Sequence, residues 1–306
     1  MIKNGVSKLK KLNLTSRIKF GITSFLLLIL LASCKTVPTG LQPVDALELM
    51  DANSSFYIAI PKEADTELIE RIITGFYADA SESDAKMIAS RVNKVYCGLN
   101  RSRQDTEVQA SIDANVPLKL LPKVLNEKNG WIVSDYTPKG SDSKFKLYSN
   151  NIEMTFPSEN LICVGRDIEG MLTRYDTLSK ITRNASDEII SELDEQLISY
   201  LKGAESEIRF FANKPQSFLT ILTGAQLDLK LIDVKGSFKT DPKHPSQYLL
   251  TLDFQFKNGL FLKAGKALLV LAFGLTNPQE EIIGENQLII NDIRIDKKQL
   301  YKLLSL

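Results

Sequence analysis

The most apolar stretch of the chain, Phe20–Leu31, is only twelve residues long, and this limits what the N-terminus can be. A helix of that length rises about 18 Å at roughly 1.5 Å per residue, whereas a spanning helix must cross about 30 Å of hydrocarbon. Residues 1–33 hold six basic residues and no acidic one, and Ala32 and Ser33 follow the apolar stretch. A basic segment, a short apolar segment and small residues, in this order, are typical of a cleaved signal peptide.

The segment Leu31–Cys34, with the sequence Leu-Ala-Ser-Cys, resembles the lipobox of bacterial lipoproteins. The resemblance implies that the signal peptide is cut after Ser33 and that Cys34 receives a diacylglycerol group and an acylated amine. A secretory signal peptide with an incidental Cys34 is the alternative. Lys35 stands where an aspartate favours inner-membrane retention in enteric lipoproteins, so the resemblance favours the outer membrane over the inner membrane.

An acylated Cys34 makes the membrane the first partner of the protein. Each buried CH₂ group contributes about 0.8 kcal/mol, so two or three acyl chains attach a protein to a bilayer effectively permanently. Residues 35–44 include two prolines and one glycine and show no apolar periodicity, which is typical of an extended tether. We therefore expect a folded body in the periplasm or at the cell surface, held to the envelope by its N-terminus.

The charge of the mature chain argues against nucleic acid as a partner. Without residues 1–33 the chain has 32 basic and 37 acidic side chains, a net charge of −5. Proteins that bind nucleic acid need a basic face to displace counterions from phosphate. At 43% hydrophobic residues, the chain has enough apolar content to fold.

Hydrophobic periodicity predicts an α+β fold with antiparallel sheets and packed helices. The predicted strands are Ser55–Ile60, Lys94–Leu99, Glu107–Val116, Trp131–Tyr136, Phe145–Tyr148, Ile152–Phe156, Leu161–Gly165, Glu207–Ala212, Leu227–Phe238, Tyr248–Phe256 and Gln287–Ile295. The predicted helices are Thr66–Tyr77, Asp84–Val92, Pro117–Leu125, Ile168–Leu178, Asp187–Leu201, Pro215–Leu222, Gly259–Phe273 and Lys297–Leu304.

Both halves of this element order can be written β-α-β-β-α-β, which is the order of a ferredoxin-like unit. Two such units in tandem account for the mature chain, and a single larger α+β domain is the alternative. The predicted organisation is a signal peptide (1–33), an acylated tether (34–44), a first α+β unit (45–185), a linking helix (186–204) and a second α+β unit (205–306). With the strand-like sequence SFYIAIP at residues 55–61 after a lipobox, the chain is similar to uncharacterised envelope lipoproteins of diderm bacteria such as spirochaetes.

The sequence offers few residues for catalysis, metal binding or cofactor binding, and we predict none of the three. His244, the single histidine, lies between prolines at a predicted hairpin tip, where we expect a solvated turn residue. No cysteine pair has zinc-ligand spacing. The segment Gly259–Lys266 has five residues between its glycines instead of the four of a phosphate-binding loop. In that segment and just after it we expect Leu260, Leu268, Val270, Leu271 and Phe273 to be buried.

We interpret two further polar patterns as solvated surface. Ser141 and Lys144 have the S-x-x-K spacing but lie in a polar loop without a partner motif. Asp79, Glu82 and Asp84 lack the spacing of a calcium loop and suit the N-terminus of the next helix.

Three classes of function follow from this inventory. A non-catalytic envelope lipoprotein that binds an unknown envelope protein or ligand, or organises the envelope, is the favoured class. A carrier of lipid or another small hydrophobe is the alternative, because the amphipathic hairpin Leu227–Phe256 suits a cavity wall. A hydrolase built from carboxylates is permitted by the 37 acidic residues but not indicated by any motif.

The two remaining cysteines, Cys97 and Cys163, would lie in an oxidising envelope, where disulfides are the default. In a ferredoxin-like unit they fall on the second and fourth strands, at opposite edges of the sheet. Three strand spacings of about 4.8 Å separate these edges by roughly 14 Å, whereas a disulfide needs Cα atoms within about 7 Å. We therefore predict two buried, reduced thiols.

Overall fold

A computed structural model describes residues 43–76, 81–101, 106–180, 191–275 and 279–304. The signal peptide, Ser33, Cys34 and most of the tether lie outside the described residues, so cleavage and acylation there stay predictions. Within these ranges, no helix has the length and apolar content needed to cross a bilayer.

The strands of the described residues form one twelve-stranded sheet in which all neighbours are antiparallel. The strands are β1 (Phe56–Pro61), β2 (Val92–Arg101), β3 (Thr106–Ala114), β4 (Ile132–Tyr136), β5 (Phe145–Ser149), β6 (Glu153–Ser158), β7 (Leu161–Gly165), β8 (Ile208–Ala212), β9 (Leu231–Thr240), β10 (Gln247–Phe256), β11 (Gln279–Ile283) and β12 (Gln287–Asp296). Their spatial order is β11-β12-β10-β9-β8-β1-β2-β3-β7-β6-β5-β4.

The helices agree with the predicted α+β class. The α-helices of the described residues are α1 (Thr66–Phe76), α2 (Glu82–Arg91), α3 (Leu121–Val124), α4 (Ile168–Lys180), α5 (Glu195–Lys202), α6 (Pro215–Thr223), α7 (Gly259–Ala272) and α8 (Lys297–Leu303). Short 3-10 helices span Ala46–Leu49, Leu118–Leu120 and Glu127–Asn129. The predicted helix Asp187–Leu201 lies partly outside the described residues, and α5 starts only after Asp194, whose side chain caps it.

The sheet separates two apolar cores because side chains alternate between its faces. The major core holds inward side chains of β1, β2, β8, β9, β10 and β12, covered by α1, α2, α6, α7 and α8. The minor core, on the opposite face, lies between strands β1, β2 and β7 and the helices Ala46–Leu49, α4 and α5. In β1, Ile58 belongs to the major core and Tyr57 to the minor core.

The repeated element order is present, but the two ferredoxin-like units are not confirmed. β1 and β8 lie side by side at the centre of the sheet, and each leads through helix into a hairpin, β2–β3 and β9–β10. A ferredoxin-like unit would place a different strand between its first and second strands. Here α1 and α2 together return the chain to the end of β1, so Pro61 pairs with Lys94 at the start of an adjacent, antiparallel β2.

Cys97 and Cys163 are both free and buried, which confirms the prediction of two reduced thiols. The predicted separation of the two cysteines by three strand spacings is wrong, because only β3 lies between β2, which holds Cys97, and β7, which holds Cys163. Cys97 faces the major core and Cys163 the minor core, so the sheet itself keeps the two sulfurs apart. Burial raises the pKa of each thiol to about 12, which keeps both protonated and unreactive.

Candidate functional site

Helix α7 packs on the sheet through a narrow inner face. Asn258 starts the helix by accepting hydrogen bonds from the backbone N–H groups of Leu260 and Phe261, each 3.1 Å long. Leu262, Gly265 and Leu269 are the buried residues of the helix. Gly265 permits close contact, since a Cβ atom there would lie 2.4 Å from Cε1 of Phe256.

The outward face of α7 is apolar as well. Leu260 and Leu271 are 74% and 78% exposed, and Leu268 is 43% exposed. Ala264 and Ala267 are exposed between them. The spacing 260, 264, 267 and 271 follows the helical repeat, so these residues form one line along the helix. We call Leu260, Ala264, Ala267, Leu268 and Leu271 the outer stripe.

The expectation that Leu260, Leu268 and Leu271 are buried is therefore wrong. Apolar residues recur on both sides of this helix, and a pattern of period 3.6 cannot say which side meets the sheet. The sheet takes the side with Gly265, because only a residue without a side chain fits against the Phe256 ring.

Positive charge borders the outer stripe. Lys257 and Lys263 are exposed, and Lys266 forms an ion pair with Glu280 of the edge strand β11. An apolar line bordered by lysines is the side-chain pattern of helices that lie on membrane surfaces.

The residues that follow the tether are fixed to the body by charged side chains. Asp45 caps the helix Ala46–Leu49, and its carboxylate lies 3.1 Å from Nζ of Lys202 at the end of α5. Glu48, on the same 3-10 helix, lies 3.0 Å from the same ammonium. Arg174 of α4 donates a hydrogen bond of 2.8 Å to the carbonyl of Leu49.

A buried ion pair continues this attachment. Asp51 is 3% exposed, and Arg166 donates to both of its carboxylate oxygens, at 2.5 and 3.0 Å. Arg166 also donates to Ser54, and Gln109 of β3 accepts the backbone N–H of Asp51 at 3.0 Å. Burial raises the pKa of Asp51, but the hydrogen bonds and charge of Arg166 outweigh it and hold this pKa below its usual value. No sequence pattern indicates this pair, whose members are 115 residues apart.

The polar residues singled out from the sequence have structural roles. His244 lies in the turn between β9 and β10, as predicted, with Nδ1 2.9 Å from the buried carboxylate of Asp241. Ser81 and Asp84 form a capping box at the start of α2, and Asp79 lies outside the described residues. Ser141 accepts a hydrogen bond from Lys180 on α4.

Two observations on the described side chains concern metal and ligand binding. In the ranges that the structure describes, no three His, Cys, Asp or Glu residues are grouped to hold a metal ion. An apolar cleft between β1 and α6, lined by Phe56, Phe218 and Leu303 among others, has a volume of about 20 Å³. That volume admits about one water molecule, which is too little for an acyl chain.

Comparison with known proteins gives the family. Residues 41–301 match the model of the family described as outer membrane-associated lipoprotein TP0453. The chain belongs to this family. Crystal forms I and III of TP0453, a spirochaete protein, share its fold with TM-scores of 0.63 and 0.61 at 20% and 19% identity. These alignments cover 86% of this chain and 97% and 98% of the solved chains. No curated protein sequence matches the chain.

Membership of the TP0453 family confirms two predictions. The protein is a lipoprotein of the cell envelope that is associated with the outer membrane. The resemblance to spirochaete envelope lipoproteins is confirmed as well. The matched region begins at residue 41, so the assignment of Cys34 as the acylated residue stays a prediction.

Proposed function

We propose that this protein is a non-catalytic envelope lipoprotein that binds the membrane surface through the outer stripe of α7. The observation that carries the proposal is the exposure of Leu260, Leu268 and Leu271 in a protein that its anchor holds at a bilayer. Large exposed apolar patches are uncommon on monomeric proteins and mark interaction surfaces.

The energies are sufficient for such an interaction. Fully burying one leucine side chain contributes about 1.5–3 kcal/mol, and each lysine near an anionic surface contributes about 1 kcal/mol. Residues 35–44 span at most about 35 Å when fully extended. The anchor therefore keeps the body near the bilayer, and weak binding by the stripe becomes effective through high local concentration.

Two observations favour this proposal over the alternatives. The cleft between β1 and α6 is too small for a carried lipid. His244, the single histidine, contacts the carboxylate of Asp241 within a turn, and Arg166 is paired with the buried carboxylate of Asp51. We therefore propose binding to the membrane surface ahead of the carrier role and of an enzymatic reaction.

The experiment is vesicle flotation with the unacylated chain, residues 35–306, and vesicles containing anionic phospholipid. We expect this chain to float with the vesicles. The Leu260→Ser/Leu271→Ser variant should bind about tenfold more weakly or worse, because tenfold corresponds to about 1.4 kcal/mol. Ile232→Ser is the matched control, since Ile232 of β9 is 53% exposed and lies outside the stripe.

The proposal fails if the parent chain does not float or if the leucine double variant floats equally well. Binding of the stripe to an envelope protein without any binding to vesicles would also overturn it.

A further inference from the structure

Among the described residues, no strand pairs with the outer edge of either edge strand of the sheet. β4 and β11 are the outermost strands, and each has five residues. Every residue of β11 is exposed, as are the first four of β4. Ile132 is 69% exposed, and Ile282 and Ile283 are 50% and 43% exposed. Natural edge strands are protected by proline, bulges, short length or charge. These two strands contain no proline and pair with their neighbours without a bulge, and their charged residues are Asp135, Glu280 and Glu281.

The directions of the two edge strands allow the sheet of one copy to continue into the sheet of a second copy. Twelve strands that are antiparallel throughout form an even number, so β4 and β11 run in opposite directions. If a second copy continues the sheet, its β11 meets β4 of the first copy antiparallel. The major-core faces of the two copies then lie on the same side.

We propose that the occupant of the β4 edge is β11 of a second copy of this chain. The register that overlaps all five residues places Ile132 opposite Ile283 and Val133 opposite Ile282. Cross-strand pairs of β-branched residues stabilise a sheet by roughly 0.2–1 kcal/mol each. The proposal is independent of the outer stripe, because none of these residues belongs to it.

The same register sets Asp135 opposite Glu280, and a lysine already neutralises each carboxylate. Lys146 lies 2.6 Å from Asp135, and Lys266 forms an ion pair with Glu280. The four side chains would then lie in the order Lys146, Asp135, Glu280 and Lys266. Each carboxylate has a lysine beside it, which weakens the repulsion between the two carboxylates.

Charge and matching both disfavour pairing of either edge with itself. Residues 279–287 hold three glutamates and no basic residue, whereas residues 128–146 hold four lysines and two aspartates. With full overlap, β4 against β4 places Val133 opposite Asp135, and β11 against β11 places Glu281 opposite Glu281. The mixed pair sets both Ile132 and Val133 opposite isoleucines, and it places the acidic segment 279–287 beside the lysine-rich segment 128–146.

Mixed pairing has a consequence for assembly. Because the two surfaces differ, the contact is heterologous, and each added copy leaves a free edge for the next. Copies therefore add end to end into an open assembly, in which strand twist turns each copy relative to the one before it.

The test is disulfide cross-linking of full-length, acylated protein in phospholipid vesicles. Directly opposite residues of antiparallel strands have Cα atoms about 4.5–5.5 Å apart, within the range for disulfides. A mixture of the Val133→Cys and Ile282→Cys variants should give a dimer, whereas each variant alone should give several-fold less. A chain with both substitutions should give a ladder of higher oligomers. The native Cys97 and Cys163 are buried and do not compete.

The control mixture combines Val133→Cys with Ile232→Cys. Ile232 is about as exposed as Ile282, but it lies on an interior strand of the sheet. No dimer in the Val133→Cys and Ile282→Cys mixture overturns the proposal, and so do equal yields from either variant alone. As a second measurement, adding Ile132→Glu to the Val133→Cys chain should lower the dimer yield several-fold. Adding Ile283→Lys to its Ile282→Cys partner should restore it. Unchanged yield with Ile132→Glu would contradict the pairing.

Discussion

The β1–β8 pair divides the sheet into two parts, and the helices cover these two parts differently. Around β1, β2 and β7, helices enclose both faces, and ion pairs, one of them buried, attach the N-terminal residues there. On the other side, the described residues of β9, β10 and β12 contribute to the major core alone. Their opposite face carries half-buried polar side chains such as Lys235, Asp253 and Gln287, which contact one another. The side that holds the N-terminal segment is therefore packed on both faces, whereas the described strands β9, β10 and β12 pack apolar side chains on one face only.

The largest expected effect is on the side that holds the N-terminal segment. Arg166→Ala leaves the carboxylate of Asp51 buried without its partner, which costs about 3–5 kcal/mol. Urea denaturation should show this loss in the free energy of unfolding. Arg294→Ala is the control, because Arg294 is mostly exposed and lies 3.4 Å from its own aspartate partner; it should cost less than about 1 kcal/mol. Equal losses would remove the contrast between the two sides.

A smaller effect tests which face of α7 meets the sheet. Leu269 is fully buried, so Leu269→Ala should lower the free energy of unfolding by about 2–5 kcal/mol. Leu271→Ala, two residues further on the outer stripe, should change it by less than about 0.5 kcal/mol. The measurement is again urea denaturation, and a large loss from Leu271→Ala would show that the outer stripe is packed.

The smallest expected effect is one of pH, on the turn that holds His244. Hydrogen bonding from His244 and from the backbone of Lys243 lowers the pKa of Asp241 to about 2. A carboxyl group with a lowered pKa in the folded state stabilises the protein above its unfolded pKa of about 3.9, and this stability is lost as the pH falls through the folded value. Stability curves between pH 4 and pH 2 should therefore be shallower for Asp241→Asn than for the parent chain. Identical slopes would contradict the assigned role of Asp241.

Local elements of this fold could be predicted from the sequence, but their arrangement could not. β10 alternates buried and half-buried residues throughout, and its period of two is visible in the sequence. β11 was missed because all five of its residues are exposed, so burial imposes no alternation on it. The adjacency of β1 to β8 depends on pairing between distant segments, such as Phe56 with Ala212, which periodicity does not contain.

The candidate site shows the same division between local and distant information. The sequence predicts an apolar helix at α7, but its orientation depends on contact between Gly265 and Phe256 from a neighbouring strand. The lipobox can be recognised in the sequence because its residues are contiguous, as recognition by a processing enzyme requires. The pairing of Asp51 with Arg166 could not be predicted, because no residue pattern near either position indicates its partner.

The attachment of residues 45–51 to the body also determines how the protein bears mechanical load. A pull on the lipid anchor enters the described fold before β1 is reached. It first meets the contacts of Asp45 and Glu48 with Lys202, and then those of Asp51 with Arg166. These contacts join the N-terminal segment to α5 and to the end of β7, so tension is spread over several elements. We expect these contacts to break before β1 is pulled out of the sheet by tension on the anchor.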